Sequence, residues 1–290
     1  MRLVQKHDLV VGAGISSRKY LLASESDSAA VECALLCRDT SRGLCCSAQA
    51  GCSFGCRHCA TTYAPKPFLR NLSAEEIVEM VRFVVNDSNA GHPLEFVDFS
   101  GVGDCSANWT AVRDACRCCR ASGLASAFRL TSVAPRAWCR AAGGDLSGFE
   151  RVVISLHGAD RETRRLIIPR AEDPWQALAW WRDLRGEGRV IDFNYVVHQR
   201  NSSPEHLDRL AGFLRHASWI RELRLSRVNP VAGMDFTTPE DLLPLATLLR
   251  SRIPHHIRVN AFTSVGSSVG MACGQLRAIQ QASRDAVQSC

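Results

Sequence analysis

From residue 73 onward the chain alternates between two hydrophobic periods. Ile77, Val78, Met80, Val81 and Val84 recur at helical spacing, and Ser73 followed by Glu76 forms a capping box in front of them. The run LEFVDFS (94–100) is short and largely apolar, which predicts a buried strand. The two patterns then repeat. Helices are predicted over about 108–121, closed by Gly123, and over about 135–142. Others start at Asp173-Pro174, running to about Gly186, at Ser203-Pro204-Glu205 and at Thr238-Pro239-Glu240. Strands are predicted at FRLTSV (128–133), RVVISL (151–156), RVIDFNYVV (189–197), RELRLSRV (221–228) and HIRVNAF (256–262).

Strands that alternate with helices imply a parallel sheet with right-handed crossovers. With GLCCSAQ (43–49) as the first strand, about six β/α units are expected, an α/β partial (β/α)6 barrel. Residues 1–44 carry short alternating segments, RKYLLAS and AVECALL, and read as a small N-terminal β extension; residues 45–290 form the barrel domain. There is no internal repeat and no low-complexity linker.

Composition narrows the class. Of 290 residues, 46% are hydrophobic, 22% charged and 7% aromatic, which excludes disordered and fibrous chains. No apolar run approaches the roughly 20 residues that span a bilayer. The N-terminus lacks the apolar core and cleavage site of a secretory signal, so a cytoplasmic protein without membrane contact is expected. In such a compartment 14 cysteines point to thiol or metal chemistry rather than a disulfide framework. The net charge of +6 suits a polyanionic partner such as RNA and equally a mildly basic soluble protein.

The chemistry concentrates in Cys52-Ser-Phe-Gly-Cys56-Arg-His-Cys59, a CxxxCxxC spacing. Three thiolates on one loop can ligate three irons of a [4Fe–4S] cubane and leave the fourth open to chelate an amino acid's amino and carboxylate groups. Ferredoxin-type clusters take four cysteines. A zinc site would also need a fourth ligand, for which His58 is the candidate. The motif resembles the cluster loop of radical S-adenosylmethionine enzymes. It lies after a strand and before a capped helix, on the face where α/β barrels build active sites.

A more specific resemblance covers roughly residues 16–277. Cys45-Cys46-Ser-Ala-Gln-Ala-Gly-Cys52, Arg70-Asn71-Leu72-Ser73-Ala-Glu-Glu-Ile77, Ser155-Leu156-His157, Asn229-Pro230 and Ala272-Cys273-Gly274-Gln275-Leu276 resemble, in order, motifs of the RlmN/Cfr family. These are radical-SAM enzymes that methylate C2 or C8 of an adenosine in large-subunit ribosomal RNA. The resemblance implies a radical-SAM partial barrel, S-adenosylmethionine and a [4Fe–4S] cluster on Cys52, Cys56 and Cys59. It also implies an RNA partner, rRNA or tRNA, and a flavodoxin- or ferredoxin-type electron donor. Cys273 matches the cysteine that is methylated and carries the methyl group. Cys45 matches its resolving cysteine, and Glu32 a carboxylate proposed as proton acceptor. Gly103-Asp104 matches the pair that holds the amino group of S-adenosylmethionine. Ser155, Leu156, His157 and Asn229 match further cofactor contacts, and Thr131 is a weaker match to a serine on the third strand.

Taken alone, several of these residues read differently. A lone cysteine such as Cys273 is usually a small buried hydrophobe, His157 a satisfied core residue and Glu32 a surface residue. Cys105, Cys116, Cys118 and Cys119 match nothing in the family and read as packing or incidental thiols, with a second metal site as the alternative; Cys33, Cys37, Cys139 and Cys290 read as packing or incidental thiols.

The resemblance implies the following chemistry. An amidine carbon of adenine is not a nucleophile, so polar methyl transfer cannot reach it. One S-adenosylmethionine methylates the Cys273 thiolate. A second yields a 5′-deoxyadenosyl radical that takes a hydrogen atom from that methyl group. The methylene radical adds to the ring, Glu32 removes the ring proton, and Cys45 attacks Cys273 to release the product as a disulfide forms. Three features depart from the family. Its helical N-terminal domain has no counterpart in the 44 residues before Cys45, Asp104 replaces a glutamate and is followed by Cys105, and a polar run is replaced by Thr263–Val269. Two alternatives follow: the same relay on a small nucleoside or natural-product substrate, or a non-catalytic iron–sulfur regulatory protein.

Overall fold

A computed structural model describes residues 1–12, 14–27, 29–38, 41–88, 92–142, 145–186, 188–262, 273–279 and 281. The segment Thr263–Val269, Ala272 and Cys290 lie outside the described residues. The chain divides into two compact units. One holds the described residues of 1–53, 60–131 and 265–290, the other those of 54–59 and 132–264.

The first unit opens with an antiparallel meander. Strands β1 (Arg2–Gly12), β2 (Ile15–Ala23), β3 (Ala30–Arg38) and β4 (Ser41–Cys45) pair in sequence order. The two segments expected as a β extension are β2 and β3. Tyr20, Leu21, Leu22, Val31 and Leu44 are fully buried in it. The run GLCCSAQ, expected as one strand, is broken. β4 ends at Cys45, and Gln49–Gly51 (β5) pairs instead with β6 (Phe68–Asn71) in a separate two-stranded sheet. Between them Ser47 Oγ donates to the Glu32 carbonyl (2.5 Å) and accepts from the Val102 amide (2.9 Å), which pulls the chain off the ladder.

Helix α1 (Ala74–Asp87) carries the expected capping box. The Glu76 amide donates to Ser73 Oγ at 3.2 Å, and the Ser73 amide donates to Glu76 Oε2 at 2.9 Å. β7 (Leu94–Phe99) then pairs parallel to β4, helix α2 (Trp109–Ala121) follows a one-turn 3-10 segment, and β8 (Ala125–Ser132) pairs parallel to β7.

In the second unit α3 (Arg136–Ala142) leads to four parallel strands: β9 (Phe149–Ser155), β10 (Val190–Val197), β11 (Glu222–Arg227) and β12 (Arg258–Phe262). Their crossovers carry α4 (Arg161–Ile167) and α5 (Pro174–Asp183), then α6 (Pro204–His216), then α7 (Leu243–Arg250). Phe193 packs on Trp181 and Phe213 with ring centroids 5.8 and 5.9 Å apart, so α5 and α6 bury their apolar faces on β10. Toward the strand starts, fully buried Asp192 is bound by Arg151 (2.5 Å) and Arg221 (2.8 Å).

Two elements differ from expectation. α4, capped by Asp160 through the Thr163 amide (2.8 Å), is too short to show a helical period. The helix expected from Thr238 begins at Leu243. Thr238 Oγ1 donates to the Val197 carbonyl and accepts from the Val228 amide, both at 3.0 Å, so it ties two strand ends together and caps nothing. Among the described residues no helix is long and apolar enough to cross a membrane.

The capping box predicts that Ser73→Ala will lower stability by about 1 kcal/mol, the usual value of an N-cap side chain. Urea unfolding of the variant beside the wild type reads this directly as a lower midpoint with an unchanged slope.

Candidate active site

In the first unit the candidate residues gather at the C-terminal ends of β4 and β7. Cys45 is the last residue of β4. Its Sγ accepts a hydrogen bond from Ser100 Oγ at 3.4 Å, and Ser100 is the first residue after β7. Burial pushes the Cys45 thiol up to about 11; the Ser100 bond opposes that shift. The pleat turns the next thiol the other way. Cys46 is fully buried with Sγ 3.7 Å from Met80 Sδ on α1, and burial holds it well above the usual thiol range.

Cys273 reaches the same place from the other end of the chain. Its Sγ donates to the Ser100 carbonyl at 3.8 Å. The segment behind it is anchored by Glu32. The Gly274 amide donates to Glu32 Oε2 at 3.1 Å, and the Arg277 amide donates to Oε1. Lys19 Nζ lies 2.7 Å from the same carboxylate, and both side chains are at most 5% exposed. Glu32 is therefore not the surface residue that its type alone suggests. Gly274 has φ +78°, and a Cβ there would lie 2.5 Å from Thr61 Oγ1, so only glycine fits this turn.

The SGVGD loop after β7 holds Gly103 and Asp104. Gly103 has φ +92°, with Gln49 where a Cβ would stand. Asp104 Oδ1 accepts from the Ser106 amide (2.9 Å) and Ser106 Oγ (2.6 Å), which fixes the carboxylate at the mouth of the short helical turn. Thr131 Oγ1, near the end of β8, is buried without a hydrogen-bond partner.

Cys52 follows β5, and its amide donates to the Pro67 carbonyl at 2.8 Å. In the second unit, the Cys59 amide donates to the Cys56 carbonyl (3.0 Å) and Arg57 is pinned to the Ile167 carbonyl (2.8 Å). Gly55, at φ +67° with open space around it, turns the loop. All three cysteines are half-buried, and none of the described cysteines forms a disulfide. The eight-residue, glycine-turned segment carries three thiol donors, the ligand chemistry that iron–sulfur clusters take. Among the described residues no group of three or more His, Cys, Asp or Glu side chains is gathered as a metal site.

The other candidates follow the strands of the second unit. Ser155 ends β9, Leu156 is fully buried, and His157 sits at φ +55°. The buried Arg164 guanidinium locks this turn, donating to the Ser155, Leu156 and Val133 carbonyls at 2.7, 2.6 and 3.0 Å. Burial lowers its pKa to about 10. His157 Nδ1 accepts from the Val196 amide at 3.0 Å, which places the ring proton on Nε2. Burial holds His157 well below its ordinary pKa and pushes His58, whose ring meets it edge-on at 4.5 Å, down to about 4. Asn229 follows β11, and its Oδ1 is buried without a partner.

The same condition marks residues that the sequence did not single out. Asn194 Oδ1 on β10 and His198 Nε2 just beyond it are also buried and unpartnered. The signal for Asn194 was present: it is an amide within the apolar run FNYVV. Ser100, Lys19 and Arg164 carried no signal, because their importance comes from contacts with residues distant in sequence.

No family model matches the chain. It is 32% identical over 271 residues to "Dual-specificity RNA methyltransferase RlmN" of Syntrophobacter fumaroxidans, covering 89% of this chain and 75% of that protein. It is 32% identical over 265 residues to a "Probable RNA methyltransferase" of Rhodopseudomonas palustris, covering 86% of this chain and 68% of that one. Among solved structures, a radical SAM methyltransferase from Sphaerobacter thermophilus superposes with a TM-score of 0.82 at 24% identity, over 94% of this chain and 80% of that chain. This likeness shows the radical-SAM α/β fold.

The Glu32 anchor makes a testable case. Glu32→Gln takes the carboxylate away from the buried Lys19 ammonium, and should cost about 3–5 kcal/mol. It should also release residues 273–279 to fast amide exchange. The double variant Lys19→Met, Glu32→Leu should recover most of the stability while the segment stays unprotected. Unfolding curves and hydrogen-exchange mass spectrometry separate the two effects.

Proposed function

We propose that this chain, which belongs to the RlmN/Cfr family of radical S-adenosylmethionine methyltransferases, methylates an adenine carbon, C2 or C8, in RNA through a Cys273 methyl carrier and a Cys45 resolving thiol. One observation carries the reading: two cysteines from opposite ends of the chain are hydrogen-bonded to the same residue, Ser100. A disulfide needs Cα atoms within about 7 Å, and shared attachment to one residue supports such a meeting.

The enzyme uses S-adenosylmethionine and a [4Fe–4S] cluster. Together they supply a transferable methyl group and a 5′-deoxyadenosyl radical. Cys52, Cys56 and Cys59 would hold the cluster. The Asp104 carboxylate, preset by Ser106, would accept charge-assisted hydrogen bonds from the ammonium of S-adenosylmethionine. Gly103, Thr131, Ser155, Leu156, His157 and Asn229 would complete its contacts. The unpartnered oxygens of Thr131 and Asn229 support this, since a buried polar atom left bare costs free energy that a ligand recovers.

The chain's own groups do the rest. The Cys273 thiolate accepts the methyl group, and its backbone is held by Glu32. The Cys45 thiolate attacks Cys273 Sγ at the end of the cycle. Glu32, as acceptor of the ring proton, must first release an amide, because both oxygens are engaged. RNA as substrate is supported by relatives named as RNA methyltransferases and by the net charge of +6. A flavodoxin- or ferredoxin-type protein would deliver the electron.

Replacing Cys52, Cys56 and Cys59 together by alanine should abolish iron binding and the charge-transfer absorption after anaerobic reconstitution. A variant that keeps a full cluster would refute the ligand set. The relay itself is tested with Cys45→Ala, which should still be methylated at Cys273 and still attack substrate, yet fail to release it. Intact-mass analysis after nuclease digestion should find a nucleotide on Cys273. A discrete small-molecule mass would overturn the RNA assignment, and turnover at the wild-type rate would overturn the relay. Cys273→Ala should form no adduct.

A further inference from the structure

We infer that Ser100 is the positioning residue of the relay: its hydroxyl holds and activates the resolving thiol of Cys45 while its carbonyl docks the sulfur of Cys273. The inference rests on the relay reading above and adds to it a residue that neither the motifs nor the family correspondence singled out.

The register of the sheet fixes Ser100 in place. β4 and β7 are parallel neighbours with Cys45 opposite Asp98, so Ser100 lies two residues further along β7's line and on the same face of the pleat. The next residue pins the turn. The Gly101 amide donates to the Cys46 carbonyl at 3.1 Å, and a Cβ on Gly101 would stand 2.7 Å from that oxygen. Ser100 is thus clamped against the end of β4. Its Oγ–H points at Cys45 Sγ at 3.4 Å, and its carbonyl receives Cys273 Sγ at 3.8 Å.

The chemistry needs such a donor. In the release step the Cys45 thiolate attacks Cys273 Sγ. The S–S bond forms, and the bond from Sγ to the substrate methylene breaks. Its electron pair goes to carbon, which takes a proton and becomes the methyl group. The attacking group is the thiolate, not the thiol. The surroundings of Cys45 oppose that form. Burial dominates, Asp98 on β7 and Glu32 on β3 repel a negative sulfur, and Cys33 lies close by on β3. Lys19 on β2 attracts it, but its ammonium is bound 2.7 Å from Glu32. With the thiol pushed up to about 11, only about one molecule in 10⁴ carries the thiolate at pH 7. A hydroxyl donor aimed at the sulfur favours the charged form. The carbonyl contact works at a different stage. A methylated Cys273 has no S–H to donate, so this bond belongs to the thiol form.

The test compares Ser100→Ala and Ser100→Thr with wild type in the full-length holoprotein. Iodoacetamide labelling of Cys45, followed peptide by peptide from pH 7 to 10, reads its thiolate directly. Loss of one neutral hydrogen bond predicts a roughly two- to tenfold slower reaction throughout this range, which lies below the thiol's midpoint at about 11. Ser100→Thr, which keeps the hydroxyl, should restore the wild-type rate. Methylation of Cys273 should be unchanged in Ser100→Ala, while the covalent adduct should persist longer by the same factor as the labelling slows. If Cys45→Ala forms an adduct but Ser100→Ala labels and releases like wild type, the inference is overturned and the relay stands. Failure of Ser100→Thr to rescue would overturn it too, since the effect would then be packing. If Cys45→Ala forms no adduct, the relay reading falls and takes this role of Ser100 with it.

Discussion

The buried ion pair between Lys19 and Glu32 is the constraint on which the arrangement of the first unit turns. Taking two charges out of water is costly, and the cost is met only when geometry and added hydrogen bonds are good. Here they are. Lys19 and Glu32 come from paired strands β2 and β3, where Leu21 faces Glu32, so the two side chains lie diagonally on one face. The remaining acceptor capacity of the carboxylate goes to the amides of Gly274 and Arg277. A carboxylate at the start of the helical turn 275–279 is also favoured by the amides there, which have no partner within the turn. The N-terminal strands therefore hold the segment that bears Cys273.

That constraint also sorts the cysteines. Cys45 and Cys273 are half-buried and touch Ser100, and the three loop cysteines are half-buried as well. Cys33, Cys46, Cys105, Cys116 and Cys119 are buried, and burial raises the pKa of each above the ordinary thiol value. Burial raises the Cys45 thiol as well, so what sets Cys45 apart is the Ser100 hydroxyl aimed at its sulfur, whereas these five pack as small hydrophobes. A high cysteine count thus conceals two populations, separated by which face of a strand or helix each residue occupies.

In the second unit the polar atoms tell a complementary story. Charges near the strand starts are fully paired, as around Asp192, whereas Asn194, His198 and Asn229 toward the strand ends carry bare buried atoms. Two histidines there have their tautomer set by backbone amides: Val196 donates to His157 Nδ1, and Arg200 to His198 Nδ1. The proton then sits on Nε2 in both rings. Buried polar atoms left bare carry a desolvation cost that a ligand can recover.

Much of this was legible in the sequence. Hydrophobic period and caps gave the parallel strands and most helices, because a buried strand and an amphipathic helix each leave a local pattern. CxxxCxxC was readable because ligand chemistry demands fixed residue types at fixed spacing, whereas Cys45 and Cys273 were singled out only by the family resemblance. The break after Cys45, the late start of α7 and the short α4 were not readable. The first two depend on a hydrogen bond from outside the segment, Ser47 to Glu32 and Thr238 to Val197, and α4 is too short to show a helical period. The roles of Lys19 and Ser100 escaped altogether. A lysine in a strand and a serine at a strand end look ordinary in one dimension. Only folding brings Lys19 within 2.7 Å of Glu32 and sets Ser100 against cysteines 55 and 173 residues away, since burial, charge pairing and donor direction are properties of three-dimensional neighbours.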